Sequence, residues 1–161
     1  MMRIYFLALF GLLILQHTFA QKPENQASAP PKVVTGAILL SDKKGPEAKA
    51  LLASLKTDWK LRADSSTAAD KTIVFSSGGA TVMIAYLDYP VNPAEITASA
   101  RLSWLWKNAA AEASRHTAQV VISVIGADNH TLDLYKIFTK TAAAVLQNTP
   151  AIGVYMNSQY L

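Results

Sequence analysis

"TIVFSSGGATVMIAYLDY", residues 72–89, is the stretch on which the fold turns. Two runs rich in β-branched and aromatic residues flank Gly78-Gly79, and a glycine pair suits the positive φ angles of a two-residue hairpin turn. Closing the turn there sets the register: Ile73 faces Ile84, Val74 faces Met83 and Phe75 faces Val82. Strand side chains alternate between faces, so Ile73, Phe75, Val82, Ile84 and Tyr86 share one bulky side, expected to pack against helices. Ser76 and Ser77 read as turn residues rather than nucleophiles, because no histidine lies within sequence reach.

Upstream, "VVTGAILL" (33–40) is apolar on both faces, as an interior strand is. "SDKKG" turns the chain, and Pro46 suits a first helical position. Ala48, Leu51, Leu52, Leu55 and Trp59 then form one helical stripe, with Lys49, Lys56 and Lys60 on the opposite, solvated face. Downstream, Pro90 and Pro93 end the hairpin. Asn92 caps a helix that has Pro93 first and Glu95 placed to reach back. Asn108 opens a short alanine-rich helix, 109–115, and "AQVVISVI" (118–125) is a second strand apolar on both faces. Thr131 to Leu146 is a helix with Leu134, Phe138, Thr141, Ala142 and Val145 on one stripe. Pro150 stops it, and "AIGVYM" is a final strand.

The order is therefore β-α-β-β-α-β-α-β, an α+β fold. Its first six elements follow the ferredoxin-like βαββαβ pattern, and a C-terminal αβ unit extends them. A right-handed crossover sets the last strand parallel to the fourth and beside it. The expectation is a five-stranded mixed sheet, order 2-3-1-4-5, with helices packed on it. Strands one and four, apolar on both faces, then lie in the interior.

The N-terminus has a different character. Arg3 supplies a positive charge, Ile4 to Leu15 is an unbroken apolar run, and Thr18-Phe19-Ala20 places small residues before a cut after Ala20. That is the layout of a secretory signal peptide over residues 1–20. A spanning helix needs about 20 apolar residues, so no stable membrane span is expected once it is cleaved. "QKPENQASAPP" (21–31) is polar and proline-bearing, and reads as a flexible linker. One domain, 32–161, follows. The expected location is the periplasm or the outside of the cell.

The formal charge is +4 over the whole chain, and loss of Arg3 leaves fourteen basic against eleven acidic groups. Nucleic acid demands clustered cations on one face, so it is not an expected partner. Cysteine is absent; the fold has to stand on its core, which a chain of this size can bury.

"WLWKNAA" (104–110), His116 followed by "VVISVIG" (120–126), and "TPAIGVY" (149–155) occur in that order. In these segments the chain resembles a bacterial family known as domain-of-unknown-function family 4261. The resemblance implies a compact α/β domain and carries no established activity, cofactor or catalytic residue.

The remaining question is chemistry. "GADNHTLD" gathers Asp128, His130 and Asp133 at the end of a strand and the start of a helix. Ligands favour that edge in open α/β sheets, and two carboxylates with an imidazole suit a divalent metal. Asp128, Asn129 and Asp133 are equally what a helix N-terminus wants for capping. His116 follows Arg115 at the end of a short helix, where a cation interacts well with exposed carbonyls. No nucleophile–base pair, zinc spacing, phosphate loop or dinucleotide fingerprint appears.

Trp104 and Trp106 flank Leu105 in "RLSWLWKNAA" (101–110). On one continuous helix they would point about 200° apart; in an extended connector both could enter one groove. Asn108 as a fresh cap favours the connector, with the rings as a plug on the core. An exposed pair would instead suit sugar stacking or a protein partner. These readings favour a non-enzymatic protein-interaction module, with toxin neutralisation as one form of it. No cofactor is expected. The alternatives are an envelope hydrolase or metal-dependent enzyme using Asp128, His130 and Asp133, and a glycan-binding module using Trp104 and Trp106.

Overall fold

The computed structural model describes residues 30–103, 105–126 and 131–156. The register of the hairpin stands as read, although Ser76 and Ser77 belong to the strand and not to the turn. β3 (Thr72–Ser77) and β4 (Ala80–Leu87) pair antiparallel with Ile73 opposite Ile84, Val74 opposite Met83 and Phe75 opposite Val82. Gly78 and Gly79 adopt φ of 56° and 79°, a region where a Cβ meets the following carbonyl. Ile73, Phe75, Val82 and Ile84 are buried in the main core.

Around it run β1 (Lys32–Leu40), α1 (Ala48–Thr57), β2 (Ser65–Ala69), α2 (Pro93–Ala100), α3 (Ala109–Ala113), β5 (Ala118–Gly126), α4 (Thr131–Asn148) and β6 (Ala151–Tyr155). The chain is α+β, but the expected sheet is wrong in count, order and direction. Six strands are present, in the order β2-β3-β4-β5-β1-β6, and every neighbouring pair is antiparallel. The ferredoxin-like arrangement is therefore excluded. The hairpin meets β5 rather than β1, and the last strand pairs with β1 rather than with β5.

The reason is physical. Apolarity on both faces places a strand inside a sheet, but it says nothing about which strand lies alongside. That choice belongs to cross-strand pairs: Val82 meets Val124 and Ile84 meets Ile122 across β4 and β5, while Val34 meets Val124 and Ile38 meets Val120 across β1 and β5. β5 and β6 do run in the same direction, yet β1 lies between them. β2 escaped notice because "SSTAA" is exposed throughout and carries no alternation.

α4 and α1 cover one face of the sheet. Leu134, Phe138, Thr141, Ala142 and Val145 of α4 are buried as their spacing requires, as are Leu51 and Leu55 of α1. Val34, Ile38 and Leu40 of β1 and Val120, Ile122 and Val124 of β5 meet them. The intervening residues of β1, Ala37 and Leu39, face the other way into a smaller cluster with Val91, Ile96 of α2 and Ala113 of α3. β1 is thus buried on both sides, and the second cluster carries Trp106.

Two helix starts need correction. α1 begins at Ala48, so Pro46 precedes the helix instead of opening it. Asn108 stands at the start of α3 but its side chain makes no capping bond, whereas Asn92 accepts from the Ala94 N–H at 2.9 Å.

Candidate functional site

Between α2 and α3 the described residues, 101–103 and 105–108, form short-range turns. Leu102 N–H bonds to Ser99, Ser103 to Ala100, Trp106 to Ser103 and Ala109 to Trp106, each three residues back at 3.0–3.1 Å. This is neither one helix nor a fully extended strand. Such i to i−3 bonds rotate successive side chains by about 120°, so neighbours along the segment face different surroundings.

Trp106 faces inward. Its Nε1–H donates to Glu112 Oε2 at 2.7 Å, and its ring packs on the second cluster beside Ile152 and Tyr155. The ring lies over Gly153, where a Cβ would stand 2.6 Å from one ring carbon. Glycine at that point lets the indole rest on the strand backbone. The hollow beneath the segment, bordered by Ile96, Trp106 and Tyr155 among others, is about 40 Å³, room for a water and little more.

Leu102 and Leu105 face outward, 81% and 78% exposed. Two leucines held almost wholly in water, on a segment pinned by the indole between α2 and α3, are the most exposed large apolar side chains among the described residues. Leu132 follows at 69%, and Tyr89, on the approach to α2, is 56% exposed.

His116 has a different role from the one expected. It is buried, at 5% exposure. The backbone N–H of Val91 can only donate, so Nε2 accepts it at 2.8 Å; Nδ1 then carries the ring proton and donates to the Ala113 carbonyl at 2.5 Å. A neutral imidazole in one tautomer therefore ties the end of α3 to the segment that leads into α2. The carbonyl contact at the helix end is present, but the cationic reading is not compatible with the Val91 bond.

The other candidate residues divide. Asp133 sits exposed in the first turn of α4, with its carboxylate 3.0 Å from Lys136 Nζ, a position favoured by the helix dipole. Trp104, Asp128 and His130 lie outside the described residues. Among the described residues, no three His, Asp or Glu side chains come together as metal ligands, and no helix is long and apolar enough to cross a membrane.

Shifted titrations lie elsewhere, at the surface. Lys71 Nζ and Asp88 Oδ2 pair at 2.8 Å. The hydrogen bond, more than the charge, holds the carboxyl of Asp88 low and the ammonium of Lys71 high. Hydrogen bonds from Ser54 and Thr57 lower the Asp58 carboxyl.

Sequence reasoning passed over Glu112, Gly153, Leu102 and Leu105. Nothing local marks Glu112 as the indole partner, and two leucines in an apolar, Trp-bearing run look like core. No family description, curated protein or solved structure matches the chain.

Proposed function

We propose that this chain is a non-enzymatic protein-interaction domain, exported to the bacterial envelope or beyond it, and that it docks its partner through the α2–α3 segment. The observation that carries the reading is the exposure of Leu102 and Leu105 on a segment whose central indole is locked down. Burying a leucine side chain contributes about 1.5–3 kcal/mol, and a segment already ordered loses little further freedom on binding. The export half rests on Arg3, the apolar run from Ile4 to Leu15, and Thr18 to Ala20. An exported toxin that the domain neutralises is one partner of the required kind. The resemblance to family 4261 carries no activity and leaves this choice unaffected.

The test uses tagged mature protein and its Leu102→Asp/Leu105→Asp variant, each offered to a solubilised envelope fraction. The variant is expected to unfold at the same temperature as the parent, because both positions are solvated already. A specific, saturable partner held by the parent and lost by the variant supports the reading. The same set of proteins on both, or none on either, overturns it.

A further inference from the structure

β2 is an open edge of the sheet. Its five residues pair with β3 on one side, no described strand lies on the other, and all five are exposed. Sheet edges are usually blunted by a central charge, a proline or a bulge. Ser65, Ser66, Thr67, Ala68 and Ala69 include none of these; the acidic residues stand only at the flanks, Asp64 and Asp70.

The bonding parity of this edge follows from the hairpin. Tyr86 N–H bonds to the Lys71 carbonyl at 2.8 Å, which makes that pair a hydrogen-bonded one. Alternation along an antiparallel ladder then aims the backbone of Ile73 and Phe75 at β4, and that of Thr72, Val74 and Ser76 at β2. Their partners there are Ala69, Thr67 and Ser65. The N–H and C=O groups of Ser66 and Ala68 are left pointing away from the sheet.

The same two residues stand opposite Phe75 and Ile73, whose side chains lie in the main core. Ser66 and Ala68 therefore face the helix-bearing side, and they are too small to fill it. Two hollows result. One, about 560 Å³, is bordered by Leu52, Lys56, Arg62, Ala63 and Ser66. The next, about 170 Å³, includes Ala68 with Pro46, Ala48, Ile84 and Tyr86. Residues two apart on a strand are about 7 Å apart, so the hollows fall under alternate positions of one edge.

We infer that β2 is a strand-addition site for an extended segment of a partner protein that carries a carboxylate and, two residues away, an apolar side chain. Main-chain bonds to Ser66 and Ala68 supply the pairing, and the two hollows supply the choice of side chain. Residues opposite each other in a bonded pair share a face. The side chain opposite Ser66 thus enters the first hollow, and the one opposite Ala68 lies over the second. Charge decides the first of these. Lys56 has no carboxylate partner among the described residues, and Arg62, 89% exposed, meets Asp64 only at Nε, 3.4 Å away. In the second hollow Lys71 is already paired with Asp88 and Asp70 shares the lining, which disfavours a second carboxylate there, while Pro46, Ala48, Ile84 and Tyr86 offer apolar wall to an aliphatic side chain.

A second copy of this chain fits less well. The twofold antiparallel register that uses both outward-facing residues sets Asp64 of one copy against Asp70 of the other, and like charges directly opposite destabilise a pair.

The site is separate from the α2–α3 segment, and the experiment keeps the two apart. The probe is a short fluorescein-labelled peptide with Glu and Val two residues apart in a threonine-rich background, followed by anisotropy on the mature chain. Its twin carries Lys in place of Glu. Ala68→Pro removes an outward N–H and leaves the ladder to β3 intact, as proline on an edge allows; circular dichroism checks its fold. Saturable binding of the Glu peptide is expected, weakened about tenfold or more by Ala68→Pro and by Lys56→Glu/Arg62→Glu. The Leu102→Asp/Leu105→Asp variant is expected to bind it as the parent does. Equal affinity for the Glu and Lys peptides, binding indifferent to Ala68→Pro, or no binding overturns the inference. So does self-association through β2 in place of peptide binding.

Discussion

Gly153→Ala is expected to destabilise the domain by about 1–3 kcal/mol, through the Trp106 ring and nothing else. A Cβ on Gly153 would stand 2.6 Å from Cη2 and 2.7 Å from Cζ3 of the indole. Carbon atoms in contact prefer about 3.5–4.0 Å, so the ring or the strand has to yield by about 1 Å. The ring has little freedom to do so, since Nε1–H is bonded to Glu112 at 2.7 Å and the ring packs against the second cluster. The strand has little either, because β6 pairs with β1 through Gly153 and Leu39. Urea unfolding followed by far-ultraviolet circular dichroism measures the cost, and avoids the emission of the other tryptophans. The decisive comparison repeats Gly153→Ala on a Trp106→Leu background. Leucine is too short to reach the new methyl group, so the two substitutions should couple by most of the penalty. A cost below about 0.5 kcal/mol, or the same cost on both backgrounds, refutes the seating of the indole on β6.

His116→Ala leaves the buried Val91 N–H without an acceptor, and a loss of about 1–3 kcal/mol in urea unfolding is expected; a neutral result would mean that water replaces the ring. Gly79, at φ 79°, has open space around it, so Gly79→Ala tests backbone strain alone and should cost about 1–2 kcal/mol in the same assay. Asp88 is held below the usual 3.8 by the hydrogen bond from Lys71 and then by its charge. Its contribution to stability is therefore present above the ordinary aspartate value and disappears as pH falls through the lowered one. In Lys71→Met the Asp88 carboxyl, followed by NMR, should titrate closer to 3.8; an unmoved midpoint would remove Lys71 as the cause.

Much of the local structure was legible because it is set by near neighbours. The Gly78-Gly79 turn gave the register of β3 and β4 residue by residue, since a two-residue loop allows one closure. The stripe of α4 followed from helical spacing and came out buried; that of α1 is buried at Leu51 and Leu55 and partly buried at Ala48 and Leu52, while Trp59 packs on the core from beyond the helix end. The inward half of the tryptophan reading holds for Trp106. It could not be separated in advance from the outward turn of Leu102 and Leu105, because all three are large, apolar and close in sequence.

By itself, then, the sequence determined every element but β2, the faces that the amphipathic ones bury and the hairpin that joins β3 to β4. Periodicity and turn chemistry act over a few residues, and they are written in the chain. Only the tertiary structure decided which strands lie side by side. β1 and β5 look alike in sequence, and exchanging them leaves every face buried; the packing of Val82 on Val124 and Ile84 on Ile122 selects the order found. It also decided that the indole of Trp106 would meet Glu112 and Gly153 while its neighbouring leucines stayed in water. Those contacts join segments distant along the chain, and no spacing within either segment encodes them.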